Sequence, residues 1–266
     1  MRYSIIYYLI KKTFSSSNNF LGLIRFLYRI KNKLNIYQII RKKIVADLIL
    51  KFHGHRLLFK QCDLSMLSSL YEIFGKEIYR ININKNKVKI VVDLGSFCGF
   101  YLLYAYFIYP KSKIISLEPY LENFKNLEKM ILDNKLDQNR IFIINKAISN
   151  KDGIGKLYLG ESNLCCSTVD LKRKSYRKIQ TISLPTFKRD YRLNEIDILK
   201  MDIEGAEHDF IYALAKKQIY QISNIVCELH EIPDKTIEKL VDYLKSQGFN
   251  IVRYDKAGSN YVFSRL

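Results

Sequence analysis

Four carboxylates in this chain share a setting: each ends an apolar run and precedes a turn. They are Asp93, Glu118, Asp202 and Glu228, with His230 two positions beyond the last. Asp93 stands in Val-Val-Asp-Leu-Gly-Ser-Phe-Cys-Gly at 91–99, where the glycines follow a Gly-x-x-x-Gly spacing before an aromatic helix. A dinucleotide site would need G-x-G-x-x-G and no acid facing a pyrophosphate. An acid here suits a cationic ligand instead, and S-adenosylmethionine carries both an ammonium and a sulfonium. Gly95 and Gly99 allow close backbone approach, and the helix start offers N–H groups. Glu118-Pro119 ends a second apolar run, Lys113 to Leu117, where an acid can take the two ribose hydroxyls.

Residues 202–209, Asp-Ile-Glu-Gly-Ala-Glu-His-Asp, reverse the sign of a basic chain. A strand over 197–201 delivers Asp202 to the carboxyl edge of a sheet, where open α/β folds bind ligands, and Glu204 lies close by. Strand alternation puts Glu228 and His230 on one side. Such a cluster could deprotonate a hydroxyl acceptor, with His230 as base and Glu228 or Asp202 orienting it. The same three residues are a second-ranked set for Mg²⁺, and a His230 that only caps its strand is the plain alternative. His208 reads as a surface or helix-packing residue, and the His53-x-His55 pair as a strand edge.

The elements that must place these residues alternate from Val88 onward, which is the pattern of a parallel sheet with helices on both faces. Strands are expected at 88–93, 113–117, 140–145, 197–201 and 224–229, and helices at 98–109, 120–134, 205–217 and 234–247. A β-rich insertion occupies 154–184, and Phe249 to Ser264 reads as a hairpin. Three regions result: a basic helical extension over 1–51, an entry or lid hairpin and helix over 52–87, and the sheet domain over 88–266.

The net charge of +18 is uneven, since residues 1–60 hold 13 Lys or Arg against one acid, Asp47. Ile5, Ile6 and Leu9, then Phe20, Leu21, Ile24, Leu27 and Tyr28, recur at helical spacing among Lys11, Lys12, Arg25, Arg29, Lys31 and Lys33. No apolar run reaches the ~18 residues of a membrane span, and the patch after Arg2 lacks the features of a signal peptide. Peripheral contact with an anionic membrane is one expectation, a solvated helical cap or oligomer contact the other. Five cysteines without a C-x-x-C pair favour a reduced, cytoplasmic protein, peripheral at most to the inner membrane face. Cys165 and Cys166 read as packing residues.

From about Leu64 to the end, the chain resembles the FkbM family of S-adenosylmethionine-dependent methyltransferases. The motifs are 91–99, Ser-Leu-Glu-Pro-Tyr at 116–120, Asn-Phe-Lys-Asn-Leu at 123–127, Lys-Ala-Ile-Ser-Asn-Lys-Asp-Gly at 146–153, Asp-Ile-Leu-Lys-Met-Asp-Ile-Glu-Gly-Ala-Glu at 197–207 and Val-Cys-Glu-Leu-His-Glu at 226–231. The resemblance implies an α/β fold of class I methyltransferase type, a Rossmann-like doubly wound sheet of seven strands, with the basic helical extension outside it. It also implies O-methylation of a hydroxyl, with Asp93, Gly95, Ser96, Phe97 and Gly99 at the methionine part of the cofactor and Glu118 with Pro119 at the ribose. Ala147 and Ile148 would border the adenine, and Asp202 and Glu204 the reacting methyl. Two positions depart from the family pattern: Ser96-Phe97 replaces Ala-Asn, and Leu184-Pro185 replaces Leu-Asp. The expected acceptor is a sugar hydroxyl in a glycan or lipid-linked saccharide, or another small-molecule hydroxyl. The competing readings are an RNA methyltransferase, motivated by charge but without a recognisable RNA-binding module, and a non-catalytic membrane-associated scaffold with a decayed cofactor site. Acceptor identity and oligomeric state stay open.

Overall fold

The computed structural model describes residues 20–160, 166–170, 175–255 and 258–265. The expected helical spacing in residues 1–19, together with Cys165 and the hairpin's Ala257, lies outside them. The chain forms two compact units, and the division follows Ile78, where the sequence suggested breaks after 51 and 87.

The first unit comprises the described residues through Ile78 together with Lys129–Leu136. Helices α1 (Phe20–Arg29) and α2 (Lys33–Lys42) precede strands β1 (Ala46–Phe52) and β2 (His55–Cys62) and helix α3 (Leu64–Leu70), which runs on as a π-helical turn, Tyr71–Lys76. Residues 46–50 are thus strand where helix was expected. Burial alternates from Asp47 to Phe52, with Leu48, Leu50 and Phe52 buried on one face and Asp47, Ile49 and Lys51 on the other. The connection to β2 is His53-Gly54 with φ of 46° and 85°, a two-residue hairpin turn that needs left-handed backbone at both positions. The His-x-His spacing is explained by that turn. Asn134 completes the unit: its side chain accepts from the Leu58 N–H at 2.8 Å and donates to the Leu58 carbonyl at 2.9 Å.

The second unit holds Tyr79–Glu128 and the chain from Asp137 onward. Five parallel strands, β3 (Ile90–Leu94), β4 (Lys113–Leu117), β5 (Ile141–Ile144), β9 (Ile196–Met201) and β10 (Ile222–Glu228), form the sheet with β11 (Asn250–Asp255) and β12 (Asn260–Ser264). The order is β11-β12-β10-β9-β3-β4-β5, the expected seven-stranded, Rossmann-like arrangement. The hairpin does more than close the edge. Its second strand, β12, lies antiparallel between β10 and β11, because Val262 and Phe263 are fully apolar and buried while β11 exposes Ile251, Val252 and Tyr254 at the rim.

Register sorts the sheet's two faces. Val92, Leu94, Ile115, Leu117, Leu199, Met201, Ile225 and Cys227 share one face and one apolar cluster. The opposite parity carries Asp93, Ser116 and Lys200, and Asp93 is the register partner of both others. Helices α4 (Phe100–Ile108), α5 (Leu121–Asp133) and α9 (Ile237–Ser246) fall within the expected spans. The helix expected over 205–217 is two, α7 (Glu207–Tyr212) and α8 (Lys216–Tyr220), because Leu214 turns inward and the Gln218 side chain accepts from the Ala215 N–H at 2.7 Å to start the second. The insertion folds as a second sheet in which β8 (Tyr176–Ser183) lies between β6 (Ala147–Ser149) and β7 (Gly153–Tyr158). Helix α6 (Leu184–Asp190) follows, capped by Ser183 with Pro185 in its first turn, so the Leu-Pro departure marks a helix start.

Gly95 is required for the joint between β3 and β9. Its φ is +74°, and a Cβ there would lie 1.9 Å from the Asp202 carbonyl oxygen. Gly95→Ala is expected to lose about 3 kcal/mol or more of stability, from clash and left-handed strain together. Gly54→Ala, at φ +85° with nothing within 4 Å, should lose about 1–2 kcal/mol. Denaturant unfolding of the two variants gives the comparison, and equal losses would remove the proposed joint.

Candidate active site at the strand tips

The tips of β3, β4, β9 and β10 carry the expected acids, and one residue the motif reading did not single out, Lys200, stands among them. It is 4% exposed. Its Nζ donates to the Gly95 carbonyl at 2.7 Å and lies 3.3 Å from Asp93 Oδ1, 3.8 Å from Asp202 Oδ2 and 5.9 Å from the centre of the Tyr79 ring. Burial works against its charge, but the carboxylates of Asp93 and Asp202 prevail and raise its pKa above the ordinary lysine value. The acidic pocket expected from sequence therefore contains a fixed cation. Lys200 is legible in retrospect, being the sole charged residue between Ile198 and Met201, with the same parity as Asp202.

Asp93 is completely buried, and neither carboxylate oxygen has an aligned hydrogen-bond partner, although Lys200 is within ion-pair distance. Burial raises its pKa above the usual carboxylate range, opposed by Lys200. Glu118 is fixed more closely. Its Oε2 accepts from the Phe97 N–H at 2.8 Å and its Oε1 from the Tyr120 N–H at 2.9 Å. Burial pushes its carboxyl up to about 7 against those two bonds.

The N–H groups of Gly95, Ser96, Phe97 and Gly99, ahead of the helix start, are committed to the loop and to Glu118. Gly95 and Ser96 both donate to the Leu117 carbonyl, Gly99 donates to Ser96, and Phe97 serves Glu118. These four amides stabilise the loop itself. Phe97 takes a φ of 50°, and its ring meets Phe100 edge-on at 5.9 Å, so the aromatic substitution leaves the backbone bond to Glu118 in place. Glu204, at φ 56°, is a second non-glycine residue in the left-handed region beside the tips.

Beyond Glu118 an open pocket of about 610 Å³ is lined by Pro119, Tyr120, Asn145, Lys146 and residues of α5 and β8. Asn145 ties its wall together by donating to the Glu118 and Pro119 carbonyls at 2.8 and 3.1 Å. Ala147 packs behind that wall with Leu157, Ile179 and Tyr120. Ile148 instead joins the main apolar cluster.

At the β9 and β10 tips, Asp202, Glu228 and His230 each offer an atom within 4.8 Å of the others, a spacing a divalent cation could bridge. The imidazole is oriented by another residue, Glu207, which is completely buried. His230 Nδ1 lies 3.2 Å from Glu207 Oε1, and Nε2 faces Glu228 at 3.9 Å and Glu204 at 4.0 Å. Glu207 also accepts from the Ile203 and Gly205 N–H groups, so its position is fixed by the turn that starts α7. Burial opposes a charge on His230, but the hydrogen bond and charge of Glu207, with Asp202 and Glu204, push its pKa up to about 10. His208 is buried rather than at the surface. Its Nε2 hydrogen-bonds to the His230 carbonyl at 2.9 Å. Tyr79 closes the group, its hydroxyl 3.4 Å from Asp202 Oδ2.

Lys200→Met, which leaves Asp93 buried without its counter-charge, is expected to lose about 3–5 kcal/mol of stability. Adding Asp93→Asn should recover part of that loss. A double-mutant cycle followed by denaturant unfolding measures both, and additive losses would separate the two residues energetically.

Comparison with known proteins places these features in a family. The model of the methyltransferase FkbM domain matches residues 93–251, more than half of the chain, and includes each of the four tip acids. Methyltransferase sdnD of Sordaria araneosa is 25% identical over 213 residues, 68% of this chain and 81% of that protein. Among solved structures, methyltransferase FkbM from Methylobacillus flagellatus KT is similar at 15% identity and a TM-score of 0.49, over 74% of this chain and 53% of that one, so that the chain spans about half its length. TYW2 of M. jannaschii, in complex with AdoMet, is similar at 17% identity and a TM-score of 0.41, over 84% of this chain and 88% of that one. By its match to the domain model, the chain belongs to the FkbM methyltransferase family.

Proposed function

We propose that the protein transfers a methyl group from S-adenosylmethionine to a hydroxyl oxygen, most specifically that of a sugar in a glycan or lipid-linked saccharide. The observation that carries this reading is the buried Glu207 behind His230, beside acids at four neighbouring strand tips. The cofactor fits the residues present. Asp93, completely buried with the Lys200 ammonium at 3.3 Å, contributes negative charge rather than an open contact, and Glu118 is oriented by two amides to accept a vicinal diol. Asp93, the 95–99 loop and Glu118 would hold it, with Asp202 and Glu204 towards its reactive end. S-adenosylmethionine supplies a methyl already activated by a sulfonium, so alignment of donor and acceptor provides much of the rate.

The protein's remaining task is the acceptor proton. An aliphatic hydroxyl is a poor nucleophile until it is deprotonated, which is why an oriented imidazole favours a hydroxyl acceptor. Glu207 fixes Nδ1 and leaves Nε2 as the atom that takes the proton. With its pKa near 10, His230 is an imidazolium at neutral pH in the ligand-free protein, and the neutral base form grows as pH rises. Five cysteines without a C-x-x-C spacing support a reducing, cytoplasmic setting. Among the described residues no helix is long and apolar enough to cross a membrane.

Two sets of measurements test this reading. Calorimetric affinity for S-adenosylmethionine should strengthen from about pH 6 to about pH 8 as Glu118 ionises, by up to about tenfold per unit on the acid side, and Glu118→Gln should bind weakly with that dependence reduced. Absence of binding to the folded protein would end the enzyme reading. Turnover with labelled methyl donor and saccharide acceptors should rise through the alkaline range, fall by about 10²–10⁴ in His230→Ala, and survive EDTA. Glu207→Gln should move the pH profile to lower pH. An unmoved profile would leave Glu207 a purely structural role, and an alkali-labile product would indicate an ester rather than an ether.

A further inference from the structure

Helix α1 is apolar on two sides. Leu23, Phe26 and the following Ile30 are buried, whereas Leu21, Ile24 and Tyr28, at i, i+3 and i+7, form a second stripe turned to solvent. Leu21 is 72% and Tyr28 82% exposed. Helix α2 repeats the arrangement, with Ile36 and Ile39 buried and Leu34 and Tyr37 exposed, and the chain leaves it through exposed Ile44 and Val45. A folded unit that needed only its own core would place polar residues at these positions.

The surrounding charge identifies what could cover them. Lys31, Arg41, Lys42 and Lys43 are exposed beside the stripes, and from Leu21 to Lys60 the sole acid is Asp47. Two basic residues of α1 serve a different purpose. Arg29 binds Glu77 at 3.0 Å and the Phe74 carbonyl, while Arg25 binds the Gly75 carbonyl at 3.0 Å and lies 3.7 Å from Glu77. Those arginines hold α1 to the π-helical turn, and among the described residues the outward cations have no comparable acid partner.

We infer that α1, α2 and the Lys42–Val45 segment form a docking surface for an anionic lipid bilayer, lying in its interface rather than crossing it. Aliphatic side chains such as Leu21, Ile24, Leu34, Ile44 and Val45 gain from the acyl-chain boundary, Tyr28 and Tyr37 suit the headgroup level, and the basic cluster meets lipid phosphates. A nucleic acid would use the cations and the tyrosines, but it offers nothing to five exposed aliphatics. This surface lies within the first unit and does not depend on the reading of the strand-tip site.

Co-sedimentation of the full chain with vesicles tests it. The protein should pellet with phosphatidylcholine vesicles containing phosphatidylglycerol and much less with phosphatidylcholine alone. Arg41→Glu/Lys42→Glu/Lys43→Glu should lower the partition by roughly tenfold or more. Leu21→Ser/Tyr28→Ser/Leu34→Ser should lower it severalfold while leaving the circular dichroism spectrum unchanged, since these side chains are exposed. Binding that is equal on neutral and anionic vesicles, or indifferent to both variants, would overturn the inference. So would preferential capture by single-stranded RNA that the serine variant retains.

Discussion

The site depends on a buried ammonium group. Lys200 reaches the joint where β3 and β9 end, donates to the Gly95 carbonyl and faces the carboxylates of Asp93 and Asp202. Asp93, Asp202 and the neighbouring Glu118, brought together at adjacent strand tips, would repel one another in a medium that screens charge poorly. A lysine in register with Asp93 permits the tips to converge. The same contact explains Gly95, which must lie close enough to Asp202 that no side chain fits between them. Charge compensation and backbone geometry are therefore one constraint, imposed at one place.

A second compensation sits one strand further along. Glu207, completely buried, accepts from two backbone amides and supports His230. The amides fix the carboxylate before any ligand arrives, so the imidazole direction is set by the turn into α7 rather than by the acids exposed around it. Glu118 follows the same logic on β4, held by the Phe97 and Tyr120 amides. Oriented carboxylates of this kind give a site its geometry at small conformational cost.

The strand ends were legible because burial on both faces produces apolar runs that stop abruptly at an acid, as at Val91-Val92-Asp93 and Ile115-Ser116-Leu117-Glu118. Neighbour relations were less legible. Asp93 and Lys200 are 107 positions apart in the sequence, and their meeting depends on β9 pairing with β3. Glu207 looked like one of several acids in a cluster, since its role requires the tight turn at Ile203 to Gly205. The misread strand at 46–52 failed for a different reason. Basic, aromatic-rich helices before it suggested that the same pattern continued, and the apolar run Leu48-Ile49-Leu50 hides the period of two that burial shows from Asp47 onward.

Net charge was the bluntest of the sequence signals, because it counts cations without distinguishing their uses. Arg25 and Arg29 are tied to Glu77 and to carbonyls at the π-helical turn, so they stabilise the fold of their own unit. Lys200 neutralises acids at the strand tips. Arg41, Lys42 and Lys43 face outward beside exposed aliphatic side chains. These three roles differ in desolvation. A buried cation is retained only where carboxylates and carbonyls replace water, a half-buried arginine where its planar donors match fixed acceptors, and an exposed cluster where solvent, or a charged surface, completes it. The excess charge that survives this sorting is concentrated on the first unit, which is why the basic composition says more about that unit's surroundings than about the chemistry at the sheet.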